Sequence, residues 1–198
     1  MIGFRERAAG TLLAAVAALH PAALAAERAL YTVAPGASRA TFYAHATGHD
    51  FSGTTTDARG HARFEPGALA GSVDGEVRVG VAWIDTGIAR RNAEMRRLLE
   101  AEKHPDIVFV LEKIVAEGEA EGPLPAKCAL HGSLRVRGVK HPLAVPVAVE
   151  PADGAFVVRG EFPLDIRELG IDPPRAMLFI RMQPLVRVEL ELRFQIAP

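Results

Sequence analysis

The chain has few of the residues on which several protein classes depend. It contains one cysteine, Cys128, which excludes an internal disulfide. We expect this residue to be a small apolar strand residue, with a reactive thiol or an intermolecular bridge as the alternative. The formal net charge is -1 and no basic block is present. A nucleic-acid surface is therefore not expected, because phosphate binding needs clustered Lys and Arg.

Sequence motifs for catalysis are also missing. No Gly-x-Ser-x-Gly nucleophile elbow and no Gly-rich phosphate loop occurs. His45 and His49 are four residues apart, but their segment is typical of a strand and turn, so they would not share a helical face. We expect no catalytic residues, no metal site and no obligatory cofactor. The protein is predicted not to be an enzyme.

The first 26 residues are typical of a secretory signal peptide. Arg5 and Arg7 precede an apolar run over residues 8–19, and Ala23-Leu24-Ala25 places small residues at the cleavage site. An uncleaved membrane anchor is the alternative, but the apolar run is short and is broken by His20-Pro21. We predict a signal peptide at 1–26, one domain at 27–198 and a periplasmic location in a bacterium.

The strongest pattern present is alternation of apolar and polar residues with a period of two, which is typical of strands with one buried face. At the end of the chain, Val186, Val188, Leu190, Leu192 and Phe194 alternate with charged residues. Similar runs include Ala40 to Ala44, Val77 to Trp83, and Phe156 to Leu164. Turn residues separate the runs, so an antiparallel sandwich or barrel is predicted.

One segment breaks this pattern. Residues 88–102 place Ile88, Met95, Leu98 and Leu99 near one face of a helix and charged residues on the rest. Thr86 is the expected N-cap and Pro105 follows the end. Such a helix either packs across the sheet, plugs an end of a barrel, or forms a mobile lid.

Several motifs follow one another in a fixed order along the chain. The stretch from Val79 to Ile114 contains Ile84-Asp85-Thr86-Gly87, then Arg91-Asn92, then Pro105, Ile107 and Phe109. Other motifs are the segments HGSLRVRGVKHP, EFPLDIRELGIDPP and YTVAPGASRATFYAHATGHDFSG. Together they resemble the YceI-like family of lipocalin-like isoprenoid-binding proteins, over roughly residues 30–196.

This resemblance implies an all-β, antiparallel lipocalin-like barrel with one inserted helix and an elongated apolar pocket. The small residues assigned inward (Ala40, Ala44, Ala62, Gly75, Gly132 and Gly160) either widen a channel or mark bulges and bends. We expect His49 to lie in a surface turn and Asp85, with Thr86, to organise the strand-to-helix turn; contact with a ligand headgroup is the alternative for these residues. The side chains expected to line the pocket are Phe42, Ala44, Phe51, Phe64, Val79, Val81, Trp83, Ile107, Phe109, Leu134, Phe156, Phe162, Ile166 and Leu190.

The function expected from the resemblance is that of a periplasmic carrier. Its ligand would be a hydrophobic small molecule such as an isoprenoid, a quinone or a fatty-acid-like lipid, and transient membrane contact would accompany delivery. The alternative is a non-catalytic interaction module that serves envelope stress or a membrane redox complex, with an incidental cavity. A homodimer is also left open, because the alternating C-terminal strand could pair at an edge.

Overall fold

The structure is a computed structural model that describes residues 28–34, 36–65, 73–118, 126–153, 155–176 and 180–197. The predicted signal peptide at 1–26 lies outside these residues, and its assignment stays a prediction. None of the helical segments within the described ranges has both the length and the hydropathy needed to cross a bilayer.

The described residues form a mostly β structure with one α-helix. The helix is α1 (Ala89–Leu98), and short 3-10 turns lie at Val81–Trp83 and Ile166–Leu169. The strands are β1 (Ala29–Val33), β2 (Arg39–Ala46), β3 (His49–Thr55), β4 (Ala58–Phe64), β5 (Asp74–Gly80), β6 (Asp106–Ala116), β7 (Lys127–Val136), β8 (Val139–Ala152), β9 (Ala155–Asp165), β10 (Arg175–Ala176), β11 (Ile180–Arg181) and β12 (Leu185–Ile196).

The main sheet closes on itself. Its strand order is β1-β4-β5-β6-β7-β8-β9-β12-β2-β3, and an additional pairing of β1 with β12 completes the ring. Because β1 and β2 pair with successive parts of β12, they act as one interrupted strand, and β3 and β4 do the same beside them. Counted this way, the described residues form a closed antiparallel barrel of eight strands. Of the two predicted architectures, a barrel and a sandwich, the structure confirms the barrel.

Strand β12 is paired along both sides. It pairs with β9 from Leu185 to Gln195 on one side, and with β2 and then β1 on the other. The expected inward side chains, Val186 to Phe194, therefore face the barrel interior. The idea that this strand offers a free edge for a homodimer is wrong, since closure of the barrel uses both of its edges.

The strand predicted to run through Trp83 ends earlier, at Gly80. Gly80 has an extended backbone (φ -71°, ψ 119°), and its N–H donates to the Asp57 carboxylate at 3.2 Å. The chain then leaves the barrel and enters the 3-10 turn. The turn breaks the alternation, and Trp83 is 68% exposed on the surface. Its assignment to the pocket is wrong for this reason.

The helix is shorter than predicted. It spans Ala89–Leu98 instead of 88–102, because Glu100 adopts a left-handed backbone with φ of 49° and ends it. Thr86 does not cap the helix, whose N-cap residue is Ile88 and has no side-chain capping bond. Instead Asn92, inside α1, accepts hydrogen bonds from the backbone N of Thr86 at 2.9 Å and from its hydroxyl at 2.5 Å.

The barrel has one end packed with aromatic rings. Tyr31 stacks on Phe64 at 4.9 Å between ring centroids, and its ring meets Phe156 edge-on at 5.0 Å. Phe156 stacks on Phe194 at 5.1 Å. All four rings are buried, so this end is filled by side chains. We call it the closed end, and the opposite end, beside α1, the mouth.

Candidate ligand-binding site

A cavity of about 320 Å³ lies inside the barrel. Its walls are almost entirely carbon, contributed by inward side chains of nearly every barrel strand. Many of these inward side chains are only partly buried, although they point away from bulk solvent. Their exposed surface therefore faces the cavity; such residues are Val77, Val79, Leu111, Leu130, Leu143, Leu164, Val188 and Leu190.

The cavity is long and narrow. On β12 its lining runs from Val186, near the mouth, to Phe194, at the closed end. At about 3.3 Å per residue these positions are separated by roughly 26 Å along the strand. An elongated apolar space with one packed end suits a single hydrocarbon chain better than a compact polar ligand.

Nine of the fourteen predicted pocket residues line the cavity. They are Phe42, Phe51, Val79, Ile107, Phe109, Leu134, Phe162, Ile166 and Leu190. Four others, Ala44, Phe64, Val81 and Phe156, are buried but lie outside the lining. Phe64 and Phe156 belong to the aromatic packing of the closed end, and Val81 is held in the 3-10 turn. Trp83 is the fifth, on the outer surface.

The two residues considered as alternative headgroup contacts, His49 and Asp85, do not line the cavity. His49 is exposed and stands 6.2 Å from Phe51 between ring centroids. Asp85 is exposed, and its carboxylate accepts bonds from the backbone N of Gly87 at 2.9 Å and from the Asn92 side-chain amide at 2.7 Å. These bonds hold the pKa of Asp85 below its ordinary value, the Asn92 bond most of all. Asp85 thus organises the turn before α1, as expected, and the alternative of a headgroup contact finds no support because Asp85 does not border the cavity.

The mouth is covered by α1. Met95, Leu98 and Leu99 line the cavity from the helix side, and Ile171 and Met182 line it from the opposite rim. The expected apolar face is thus confirmed apart from Ile88, which is 52% exposed. The helix sits over the end of the barrel and does not pack against its side.

Backbone pairing fixes the position of this cover. The backbone N of Thr54 on β3 donates to the carbonyl O of Asp85 at 2.9 Å, and the N of Asp85 donates back to Thr54 at the same distance. Glu100, which follows the helix, accepts a hydrogen bond at 2.6 Å from the guanidinium of Arg137, at the end of β7. This bond holds the pKa of Glu100 below its ordinary value. Both ends of the α1 segment are therefore tied to the barrel.

Sequence reasoning missed two charged residues at the mouth, Arg91 and Glu94, which line the cavity beside Thr86. Arg91 places its guanidinium carbon 4.5 Å from the centroid of the Phe51 ring. Its Nη2 donates to the carbonyl O of Thr86 at 2.6 Å. The available signal was the Arg91-Asn92 pair of the family motif, but a charged residue on an amphipathic helix is ordinarily expected in solvent.

The small inward residues serve two purposes. Ala40 and Ala62 border the cavity directly. Gly132 lies beside a register shift between Leu111 and Lys113, and a side chain there would lie 2.1 Å from the carbonyl O of Val110. Gly132 therefore serves a β-bulge, whereas the alanines leave open space.

The structure also bears on the Cys128 thiol and on possible metal ligands. Cys128 is 1% exposed, and burial raises the pKa of its thiol to about 11. Its expected role as a small apolar strand residue is confirmed. Within the part of the chain that the structure describes, no group of three or more His, Cys, Asp or Glu side chains could hold a metal ion.

Comparison with known proteins gives a consistent picture. The model of the YceI-like domain family matches residues 31–196. No curated protein matches the chain significantly in sequence. Among solved structures, Burkholderia cenocepacia BcnA has a TM-score of 0.68 at 18% identity, over 84% of this chain and 99% of that one.

Two other structures share the fold. A polyisoprenoid binding domain from Saccharophagus degradans, implicated in plant cell wall breakdown, has a TM-score of 0.63 at 15% identity and covers 85% of this chain and 98% of its own. The YCEI protein of Campylobacter jejuni has a TM-score of 0.57 at 15% identity, over 74% of this chain and 84% of that one. At these identities the likeness concerns the fold.

Proposed function

The chain belongs to the YceI-like domain family, and from this premise we propose that it is a periplasmic carrier that holds the tail of a long apolar or amphipathic lipid inside its barrel. The observation that carries the proposal is the cavity, which is carbon-lined, elongated, packed at one end and covered by α1 at the other. The polyisoprenoid-binding description of the Saccharophagus degradans domain supports the same ligand class.

The size of the cavity sets the expected length of tail. At about 30 Å³ for each water-sized or methylene-sized group, the 320 Å³ cavity holds on the order of ten such groups. Burial contributes about 0.8 kcal/mol per methylene, or roughly 8 kcal/mol before ordering costs. A longer tail would leave its remainder at the mouth, under or beyond α1.

A series of alkanols of increasing length tests this estimate of the tail length that the cavity holds. We expect the dissociation constant to fall about fourfold for each added methylene until the tail has about ten carbons. Beyond that length the gain should flatten, because further carbons no longer enter the cavity. Binding that is absent at every length would overturn the carrier proposal and favour the non-catalytic interaction module.

A second measurement concerns the ligand acquired in the cell. The protein is purified from periplasmic extract without detergent, extracted with organic solvent, and the extract is analysed by mass spectrometry. We expect an apolar compound in stoichiometric amount. The intact mass of the polypeptide should correspond to a chain that has lost residues 1–26, and an unprocessed mass would contradict the proposed export.

The outer surface beside the mouth supports transient contact with an anionic membrane. Trp83 and Ile88 are exposed there, at 68% and 52%. The neighbouring helix exposes Arg90, Arg96 and Arg97. Exposed Trp beside basic residues is typical of surfaces that rest at the membrane interface. A carrier that meets a bilayer mouth-first could transfer its tail without exposing it to water.

Fluorescence offers a direct test, because Trp83 is the chain's single tryptophan. Its emission should shift to shorter wavelength with phosphatidylglycerol vesicles and far less with phosphatidylcholine vesicles. Ile88→Ser should weaken the vesicle affinity. Ile196→Ser is the matched control, since Ile196 is also exposed but lies at the closed end. Equal effects of the two variants would refute mouth-first contact.

A further inference from the structure

Arg91 is unusual among the residues that border the cavity. Its Nε is buried and has no hydrogen-bond partner within the described residues. A guanidinium carries five N–H donors, and the single side-chain bond that Arg91 makes in the described structure runs from Nη2 to Thr86. The guanidinium lies over the Phe51 ring, and both side chains border the cavity at the mouth.

The charge of Arg91 is not balanced by a nearby carboxylate. No Asp or Glu oxygen of the described residues lies within 4.0 Å of it. Glu94 also borders the mouth, but both of its oxygens accept bonds from Arg97, at 2.6 and 3.0 Å. That contact lowers the pKa of Glu94, so its charge persists but is already paired.

Two further ionisable side chains beside the cavity, those of His61 and Glu76, each lie close to another side chain. The His61 side chain is 3.7 Å from the Asp74 carboxylate, and Glu76 accepts a bond from Arg78 at 2.5 Å. Both stand on strands whose apolar neighbours, Ala62 and Val77, face the interior. A partly desolvated cation with free donors thus lies at the mouth of the carbon-lined cavity, under α1.

We propose that Arg91 binds the anionic headgroup of the ligand, so that the preferred ligand is an amphiphile with a carboxylate or phosphate head and a single apolar tail. This inference rests on the proposed tail-binding function and narrows it. A planar guanidinium with free N–H donors on Nη1 and Nη2 can form two parallel bonds to a carboxylate or phosphate. The tail would occupy the cavity, and the head would neutralise a charge that the protein leaves unpaired.

Calorimetric titration with ligands of one tail length tests the assignment. Decanoate, decyl phosphate and decan-1-ol carry the same tail with anionic or neutral heads. Hydrogen bonds between charged groups contribute more binding free energy than those to a neutral hydroxyl. We therefore expect the anionic ligands to bind about tenfold to hundredfold more tightly than the alcohol. Acetate and inorganic phosphate test whether a free anion, without a tail, is the true ligand.

Variants assign the preference to one residue. Arg91→Gln should bring the ratio of decan-1-ol to decanoate dissociation constants close to one, and Arg91→Lys should retain part of it. Arg90→Gln is the matched control, because Arg90 is the exposed neighbour on the same helix and should leave the ratio unchanged. Since the ratio is measured within each variant, a general loss of stability does not imitate the effect.

The outcomes separate the two proposals. Equal affinity of the wild-type protein for decanoate and decan-1-ol overturns the role of Arg91 and leaves tail binding standing. Absence of binding by all tailed ligands overturns both. Acetate or inorganic phosphate binding as tightly as its tailed counterpart also overturns the inference, because the site would then serve a free anion. A preference that survives in Arg91→Gln but is lost in Arg90→Gln would overturn the assignment to Arg91.

Discussion

Ala40→Phe should block the cavity while leaving the barrel folded. Ala40 lies on β2 between Leu190 of β12 and Thr55 of β3, and it borders the cavity. The added six-carbon ring would occupy on the order of half of the about ten methylene-sized positions. At about 0.8 kcal/mol per methylene, the loss is about 4 kcal/mol, or roughly a thousandfold weaker binding of a ten-carbon tail.

Calorimetric titration with decan-1-ol measures the loss, and the melting temperature reports on folding. The ring fills existing space, so we expect a change of only a few degrees. Arg39→Phe is the matched control, because Arg39 is the adjacent residue on the outer face of the same strand. A folded Ala40→Phe protein that binds decan-1-ol within threefold of the wild-type affinity would refute the placement of the tail inside the barrel.

Three further predictions concern the helix cover and the buried thiol. Asn92→Asp should lower the melting temperature at pH 7, because it sets a second carboxylate against Asp85 at the 2.7 Å contact, and the loss should shrink at acidic pH as one carboxylate protonates; a loss that is constant with pH would contradict this. The pKa of Glu100 is lowered by Arg137, so the stability it contributes is complete above its unfolded value of about 4.3 and is lost as pH falls through the lower folded value. Glu100→Gln should therefore lower the melting temperature at pH 7 and have little effect in strong acid, which a thermal scan across pH would show. Since burial raises the pKa of Cys128 to about 11, Ellman's reagent at pH 8 should react with it only at the rate of unfolding, and rapid labelling of the native protein would contradict its burial.

The sequence was most informative where a local rule decides the structure. Alternation along β12 identified its inward residues, because a strand that buries one face cannot shift register by one residue without exposing that face. The same rule failed at Trp83. The chain leaves the barrel after Gly80 and enters a 3-10 turn, and a period of two does not reveal where a strand stops.

The mouth was harder to predict because it depends on packing between distant segments. Arg91 occupies a position on an amphipathic helix that would ordinarily face solvent. Only the placement of α1 over the opening, fixed by the pairing of Asp85 with Thr54, turns Arg91 toward Phe51 and the cavity. By contrast, the turn role expected for Asp85 follows from local residue type, and its hydrogen bonds to Gly87 and Asn92 agree with it.

A crystal structure with 10-bromodecanoate tests the central claim most directly, since anomalous scattering locates the bromine at the end of the tail. We predict a single bromine inside the barrel, closer to Leu190 or Leu192 than to any exposed residue, with the carboxylate beside Arg91. Bromine found only on the outer surface, or a cavity that stays empty at saturating ligand, would contradict the account of the barrel as the holder of an apolar tail.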